Sequence, residues 1–425
     1  MSNIKKIFSH EIIDSRGIPT IQGILELETG EQVKTSIPAG TSRGKREAVE
    51  LRDNDISRYD GKGVLKAIEL INNVIGPKLK GVSVFKQAEI DKWLIEADGT
   101  KNKEKFGANT ILTISQLVVK AGAKSKNLPL FKYINFLFNS QTGEPLSISK
   151  IPSPIFNVIN GGRHANNNLE FQEFQIIPSS SNLFSDAYRI GVELFHELKR
   201  VLLYRNANVS VGEEGGYAPN LKSNEDALEV LEETIKRKYL KLGTDIFFGL
   251  DIAASNFYKD QRYIIKNLPN PLSKDEYINM LKKLISQYPF LIIEDPLQED
   301  DDKSWIKFNS IVTENTYVAG DDFLVTNKLK LKKAIKDKAC SAIIIKPNQI
   351  GSVSETMDVV STAKKNNIVC IVSHRSGETN DTFIADFGVG VQSEFVKFGA
   401  PSRGERVVKY NRLWEIERYE LNNKS

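Results

Sequence analysis

The chain has 425 residues but only two cysteines, four histidines, three methionines and three tryptophans. Both cysteines, Cys340 and Cys370, sit beside or within apolar runs. They read as buried free thiols of a reducing compartment, which excludes a disulfide framework and a cysteine metal pair. No stretch approaches the roughly 18–20 consecutive apolar residues of a membrane span, and Met1 to Asp14 lacks an apolar signal core. These features point to the cytoplasm. The chain also lacks any long block of one charge: the net charge is +4, with Lys and Arg interspersed among Asp and Glu. Nucleic acid is therefore not an expected partner.

What is there is a repeated pattern. Short apolar runs end in one ionisable side chain at Asp251, Glu294, Asp321, Lys346, His374 and Lys397. Such runs suit strands buried on both faces. Successive spacings of 43, 27, 25, 28 and 23 residues mostly leave room for a loop, a helix and a return. The intervening Asp275–Gln287 and Ser354–Asn366 are polar with helical periodicity. Strands alternating with helices predict an α/β closed (β/α)8-type barrel of parallel strands, whose C-terminal rim is where active sites are built.

The N-terminal part reads differently. Ile18–Glu28 and Glu31–Ile37 predict an antiparallel hairpin turning at Thr29-Gly30, followed by helices at Val64–Ile75, Phe85–Ala97 and Thr110–Ser125. The Gly, Pro and Ser content of Asn139–Ser153 suggests a linker. The expected division is a smaller α+β domain at 1–138 and the barrel domain at 139–425.

Asp251, Glu294 and Asp321 offer the carboxylate oxygens that a hard divalent cation such as Mg²⁺ prefers, or else form structural ion pairs. Lys346 ends a wholly apolar strand, so burial and nearby cations predict a lowered pKa suited to a general base. Gly212-Glu213-Glu214-Gly215-Gly216 places carboxylates in a loop that glycine allows to approach a ligand closely. His164 and His374 each lie beside glycine and a cation, and Arg375 and Ser376 suit phosphate oxygens.

Taken in order, these motifs resemble the enolase family nearly end to end. They run from Asp14-Ser15-Arg16-Gly17 and Glu50-Leu51-Arg52-Asp53 through Asn160-Gly161-Gly162 with His164. Phe171-Gln172-Glu173-Phe174, Glu214-Gly215-Gly216-Tyr217-Ala218-Pro219-Asn220 and Ile293-Glu294-Asp295-Pro296 follow. The series closes with Gly320-Asp321-Asp322, Lys346 with Asn348-Gln349-Ile350-Gly351, and Val372 to Thr379. The resemblance implies the enolase variant of the barrel and the reversible dehydration of 2-phosphoglycerate to phosphoenolpyruvate, a step of glycolysis and gluconeogenesis. It makes Lys346 the base and Glu214 the acid. It assigns one tight Mg²⁺ to Asp251, Glu294 and Asp321, and the substrate to His164, Gln172, Glu173, His374, Arg375, Ser376 and Lys397. A small phosphorylated acid is the implied partner, and a homodimer or assembly of dimers the implied state.

Two other readings compete: an enolase-like paralogue acting on a related phosphorylated or phosphonate acid, and a non-catalytic binding protein on the same scaffold. The first glycine-rich loop departs from the family. Pro38-Ala39-Gly40-Thr41-Ser42-Arg43-Gly44 matches a usual Pro-Ser-Gly-Ala-Ser-Thr-Gly, so Ala39 stands at a serine position. That serine is read as a ligand of a second, substrate-dependent Mg²⁺. The expectation is a lost hydroxyl ligand; either the changes are drift in solvated loop positions with a water completing the metal shell, or Arg43 or Arg163 partly replaces the metal or binds an extra anionic group.

Overall fold

The computed structural model describes residues 2–40, 45–143 and 145–421. Three antiparallel strands open the chain, β1 (Ile4–Ile13), β2 (Pro19–Leu27) and β3 (Gln32–Ser36), in the order β1-β2-β3. The β2–β3 hairpin turns at the predicted Thr29-Gly30, where Gly30 adopts φ of 89°. The periodic segments form helices Gln87–Asp98 and Ala108–Ser125, while Leu65–Glu69 continues into a π-helical stretch, Leu70–Ile75. Ile4, Ile21, Leu25, Ile71, Ile90 and Leu117 share one buried apolar cluster. The expected division at 138/139 falls inside helix Leu130–Thr142, whose Phe131, Ile134 and Phe138 pack with the barrel's apolar cluster.

The rest of the chain builds β4 (Ser153–Asn160), β5 (Glu173–Pro178) and β6 (Ile246–Asp251), then a two-stranded ribbon of β7 (Tyr258–Lys259) and β8 (Arg262–Tyr263). The remaining strands are β9 (Phe290–Glu294), β10 (Tyr317–Gly320), β11 (Ala342–Ile345), β12 (Val369–Ser373) and β13 (Phe395–Lys397). Eight strands close into a barrel in the order β10-β11-β12-β13-β4-β5-β6-β9. Strand β11 is Ala-Ile-Ile-Ile and buried throughout, as a strand covered on both faces requires. Helices Lys274–Gln287 and Val353–Lys365 fall where their periodicity places them. Ser273 and Ser352 cap them by accepting the Glu276 and Glu355 backbone N–H, which satisfies donors that the first helical turn leaves free.

The barrel corrects one expectation: it is not uniformly parallel. Strand β5 runs antiparallel to both β4 and β6. The connection between β4 and β5 contains only the 3₁₀ turn Gly162–His164 and no crossover helix, and the two strands pair antiparallel. The reversed strand therefore starts, rather than ends, at the rim where its neighbours finish.

Candidate active site

Register brings the charged groups together. Asp251 pairs with both Glu173 on β5 and Glu294 on β9, and Lys397 lies opposite Ser373. Asp321, Lys346 and His374 each follow the last residue of their strand by one position. His164, Gln172, Glu173, Glu214, Asp251, Asp321, Lys346, His374, Arg375, Ser376 and Lys397 all line one small cavity. Glu294 is buried beneath it, its carboxylate 2.7 Å from the Lys397 Nζ. Every residue expected at the site is thus gathered at one end of the barrel.

Lys397 is the hub of the carboxylates, with Nζ also 3.3 Å from Glu173 and 3.7 Å from Asp251. Burial opposes its charge but is outweighed by Glu173, Glu294 and Asp251, which raise it well above the usual lysine range. Burial raises Glu173 and Glu294 well above the carboxylate range despite Lys397, with Glu214 and Asp251 respectively adding to the rise. Gln172 donates to Asp251 at 3.0 Å and Gln175 to Glu173 at 2.8 Å.

Lys346 departs from expectation. Burial, Arg375 and Lys397 do act to lower it, but its ammonium bonds directly to the Asp321 carboxylate, and the net direction is upward. Burial likewise acts to raise Asp321 and is outweighed by Lys346 and Lys397, which hold it low. An isolated apolar strand predicts desolvation; it does not reveal the anion facing the strand tip.

Across the cavity, Glu214 accepts from Asn157 Nδ2 at 2.9 Å and lies 3.1 Å from His374 Nε2. Gly215, at φ of 86°, lets the chain turn directly after it. Burial drives His374 down to about 3 against the pull of Glu214, aided by Arg406, whose Nη1 lies 2.8 Å from His374 Nδ1. Burial also pushes Glu214 up, but the neighbouring His164 and His374, with Arg406, outweigh it and hold the carboxyl well below the usual carboxylate range.

Sequence reasoning missed several participants. Glu47, from the N-terminal domain, pairs with Arg375 at 2.9 Å and lines the cavity. Gln349 donates to Asp321 at 2.9 Å, and Asp295 accepts the Asp321 and Asp322 backbone N–H groups at 2.9 and 2.8 Å. Asp295 and Gln349 lie within quoted motifs, whereas Glu47 follows no apolar run. The close approach of Arg375 also explains Gly40, where a Cβ would fall 1.8 Å from its Nη2.

Ala39 has a backbone role that its place in the glycine-rich loop did not announce. It is 2% exposed and exchanges backbone hydrogen bonds with Gly377 at 2.8 and 2.9 Å. Its carbonyl also accepts from Arg16 at 3.1 Å, and the residue does not line the cavity. Both carbonyl lone pairs are engaged, so Ala39 serves here as a joint between the domains. Arg43 lies outside the described residues. Arg163 is exposed, in the 3₁₀ turn Gly162–His164.

The comparisons with known proteins agree with this geometry. The profile of the enolase N-terminal domain matches residues 4–134, and that of the enolase C-terminal TIM barrel domain matches 148–425. The chain belongs to the enolase family. It is 43% identical over 420 residues to the enolase of Ehrlichia canis (strain Jake), covering 98% of this chain and 97% of that one. Membership implies metal dependence in general, and acidic groups able to hold a metal are present. Among the described residues, ligand atoms of His164, Glu173 and Glu214, and of Asp295, Asp321 and Asp322, lie within 4.8 Å of one another. No helix among the described residues is long and apolar enough to cross a membrane.

Proposed function

We propose that this enolase-family chain is a phosphopyruvate hydratase, interconverting 2-phosphoglycerate and phosphoenolpyruvate, with Lys346 and Glu214 as its acid/base pair. The observation that carries the reading is their placement on one small cavity, Lys346 held by Asp321 and Glu214 beside His374. Lys346 takes the C2 proton; Glu214 gives its proton to the departing C3 hydroxyl. Removing a proton next to a carboxylate concentrates negative charge on that carboxylate. Lys397, raised and fixed, is suited to meet it.

The donor set fits Mg²⁺. Glu47, Glu173, Glu214, Asp251, Glu294 and Asp321 outnumber the cations Lys346, Arg375 and Lys397, and oxygen donors are what a hard divalent ion selects. Asp251, Glu294 and Asp321 would hold it, and the chemistry it supplies is stabilisation of the substrate carboxylate's developing charge. Asp321 is the largest influence raising Lys346; with that carboxylate given to a cation, burial, Arg375 and Lys397 would oppose only Glu294 and favour a working base. His164, Gln172, Glu173, His374, Arg375 and Ser376 are proposed to surround the substrate. His164 Nδ1 is buried without a hydrogen-bond partner among the described residues, which supports a polar ligand beside it. We assign 139–425 to the catalytic domain, and a cytoplasmic homodimer as the working form, which light scattering in solution tests.

The decisive experiment follows the ultraviolet absorbance of the enol product from 2-phosphoglycerate with Mg²⁺. Turnover that disappears with EDTA and returns with Mg²⁺ supports the assignment. An absent product with a related phosphorylated acid being consumed instead points to the paralogue.

A further inference from the structure

Beside the catalytic cavity lies an open groove of about 620 Å³, lined among others by Ser15, Arg16, Arg163, His164, Gly212 and Arg403. We propose that this groove is an anion-capture site through which a phosphorylated acid reaches the cavity, with Arg163 as the residue that receives its phosphate. The inference rests on the reaction proposed above and adds where the substrate first binds.

His164 lines both spaces, so the groove adjoins the site. Its Nδ1 is buried with no hydrogen-bond partner among the described residues, 3.7 Å from Glu173 and Glu214. The three guanidinium groups differ in their commitments. Arg16 holds Asp14 at 3.0 Å and the Ala39 carbonyl at 3.1 Å. Arg403 holds Glu405 at 2.8 Å, with the Gly212 and Ser15 carbonyls at 3.3 and 3.1 Å. Arg163 is exposed and makes no hydrogen bond or ion pair with a described residue. Glu213 is the one carboxylate among the lining residues.

Charge gives the groove a purpose. The inner cavity is acidic, and a substrate carrying phosphate and carboxylate is repelled by it until its own contacts form. A planar guanidinium fork without a carboxylate partner, one residue before His164, offers phosphate oxygens a bidentate hold outside that acidic interior. A cation at the mouth raises the local substrate concentration, an effect that salt suppresses.

The test measures kcat and kcat/KM of the full chain with saturating Mg²⁺ for wild type, Arg163→Gln and Arg163→Lys across ionic strength. At about 20 mM salt, where screening is weak, Arg163→Gln is expected to lose roughly three- to ten-fold in kcat/KM with kcat within about two-fold. The difference should close toward about 0.5 M salt, and Arg163→Lys should recover most of it. An active wild type with an indistinguishable Arg163→Gln, or a loss equal at every salt concentration, overturns the capture site alone. A wild type inert toward 2-phosphoglycerate overturns the reaction and this site together.

Discussion

The rim of the barrel has two arcs built in opposite ways. From β6 and β9 through β13, each parallel strand runs outward and delivers one ionisable residue at its C-terminal tip. From β4 and β5 to the N-terminal domain, the groups arrive otherwise: Glu173 begins a reversed strand, Asn157 lies mid-strand, and Glu47 comes from another domain. The first arc carries most of the proposed chemistry and the second supplies partners that fix its charges. A residue's role here follows from which arc it faces, not from its own strand.

Breaking the acid/base pair, Lys346 on the first arc and Glu214 facing it from the second, should have the largest effect. Lys346→Met or Glu214→Gln is expected to lower kcat by about 10³- to 10⁴-fold with unchanged circular dichroism; retention of a tenth of the activity would remove either from its role. Lys397→Met joins both arcs in one loss, because Glu173, Asp251 and Glu294 share that ammonium. Denaturant unfolding should show about 3–5 kcal/mol less stability, partly restored by Mg²⁺; no recovery with Mg²⁺ would argue against the metal at this cluster. On the second arc, Glu47→Gln keeps the shape but removes the charge facing Arg375. A cost of about 2 kcal/mol is expected in the same assay, and a neutral result would mean Arg375 finds other partners.

The joint between domains gives a pH-dependent prediction. Asp381 accepts the Ser36 N–H at 2.9 Å and pairs with Lys120 at 2.7 Å. Burial acts to raise Asp381, but Lys120 outweighs it and the carboxyl is depressed. A depressed carboxyl contributes stability above its unfolded value near 4 and loses it as pH falls through the lower folded value. The stability gap between wild type and Asp381→Asn should therefore be present at pH 7 and shrink below about pH 4; a gap independent of pH would exclude the ionic contribution. Smallest of all, Ala39→Ser should leave the Mg²⁺ dependence of turnover unchanged. A shifted dependence would restore position 39 as a metal site.

Much of this was legible because parallel strands write their function at their ends. An apolar run followed by one charge is readable residue by residue, and six in sequence identified the barrel and its rim. The direction of β5 was not readable from its own residues, since Glu173–Pro178 is as apolar inside as its neighbours. Glu47 left no signal either, because an acid paired across a domain boundary looks like any charged loop residue. The expected fall in Lys346 failed for the same reason. Burial is local and can be inferred from the strand, whereas the opposing Asp321 is 25 positions away and is set by barrel register.

The barrel closes where β13 pairs with β4, joining Phe395 to Ser153 across most of the catalytic domain. Lys397 rides on that last strand. During synthesis, Glu173, Asp251 and Glu294 therefore emerge long before the ammonium that neutralises them, and a chain stopped short of residue 397 would have to bury three acids together without it. The final seam thus brings the barrel's closing strand and the site's central ammonium together in one step.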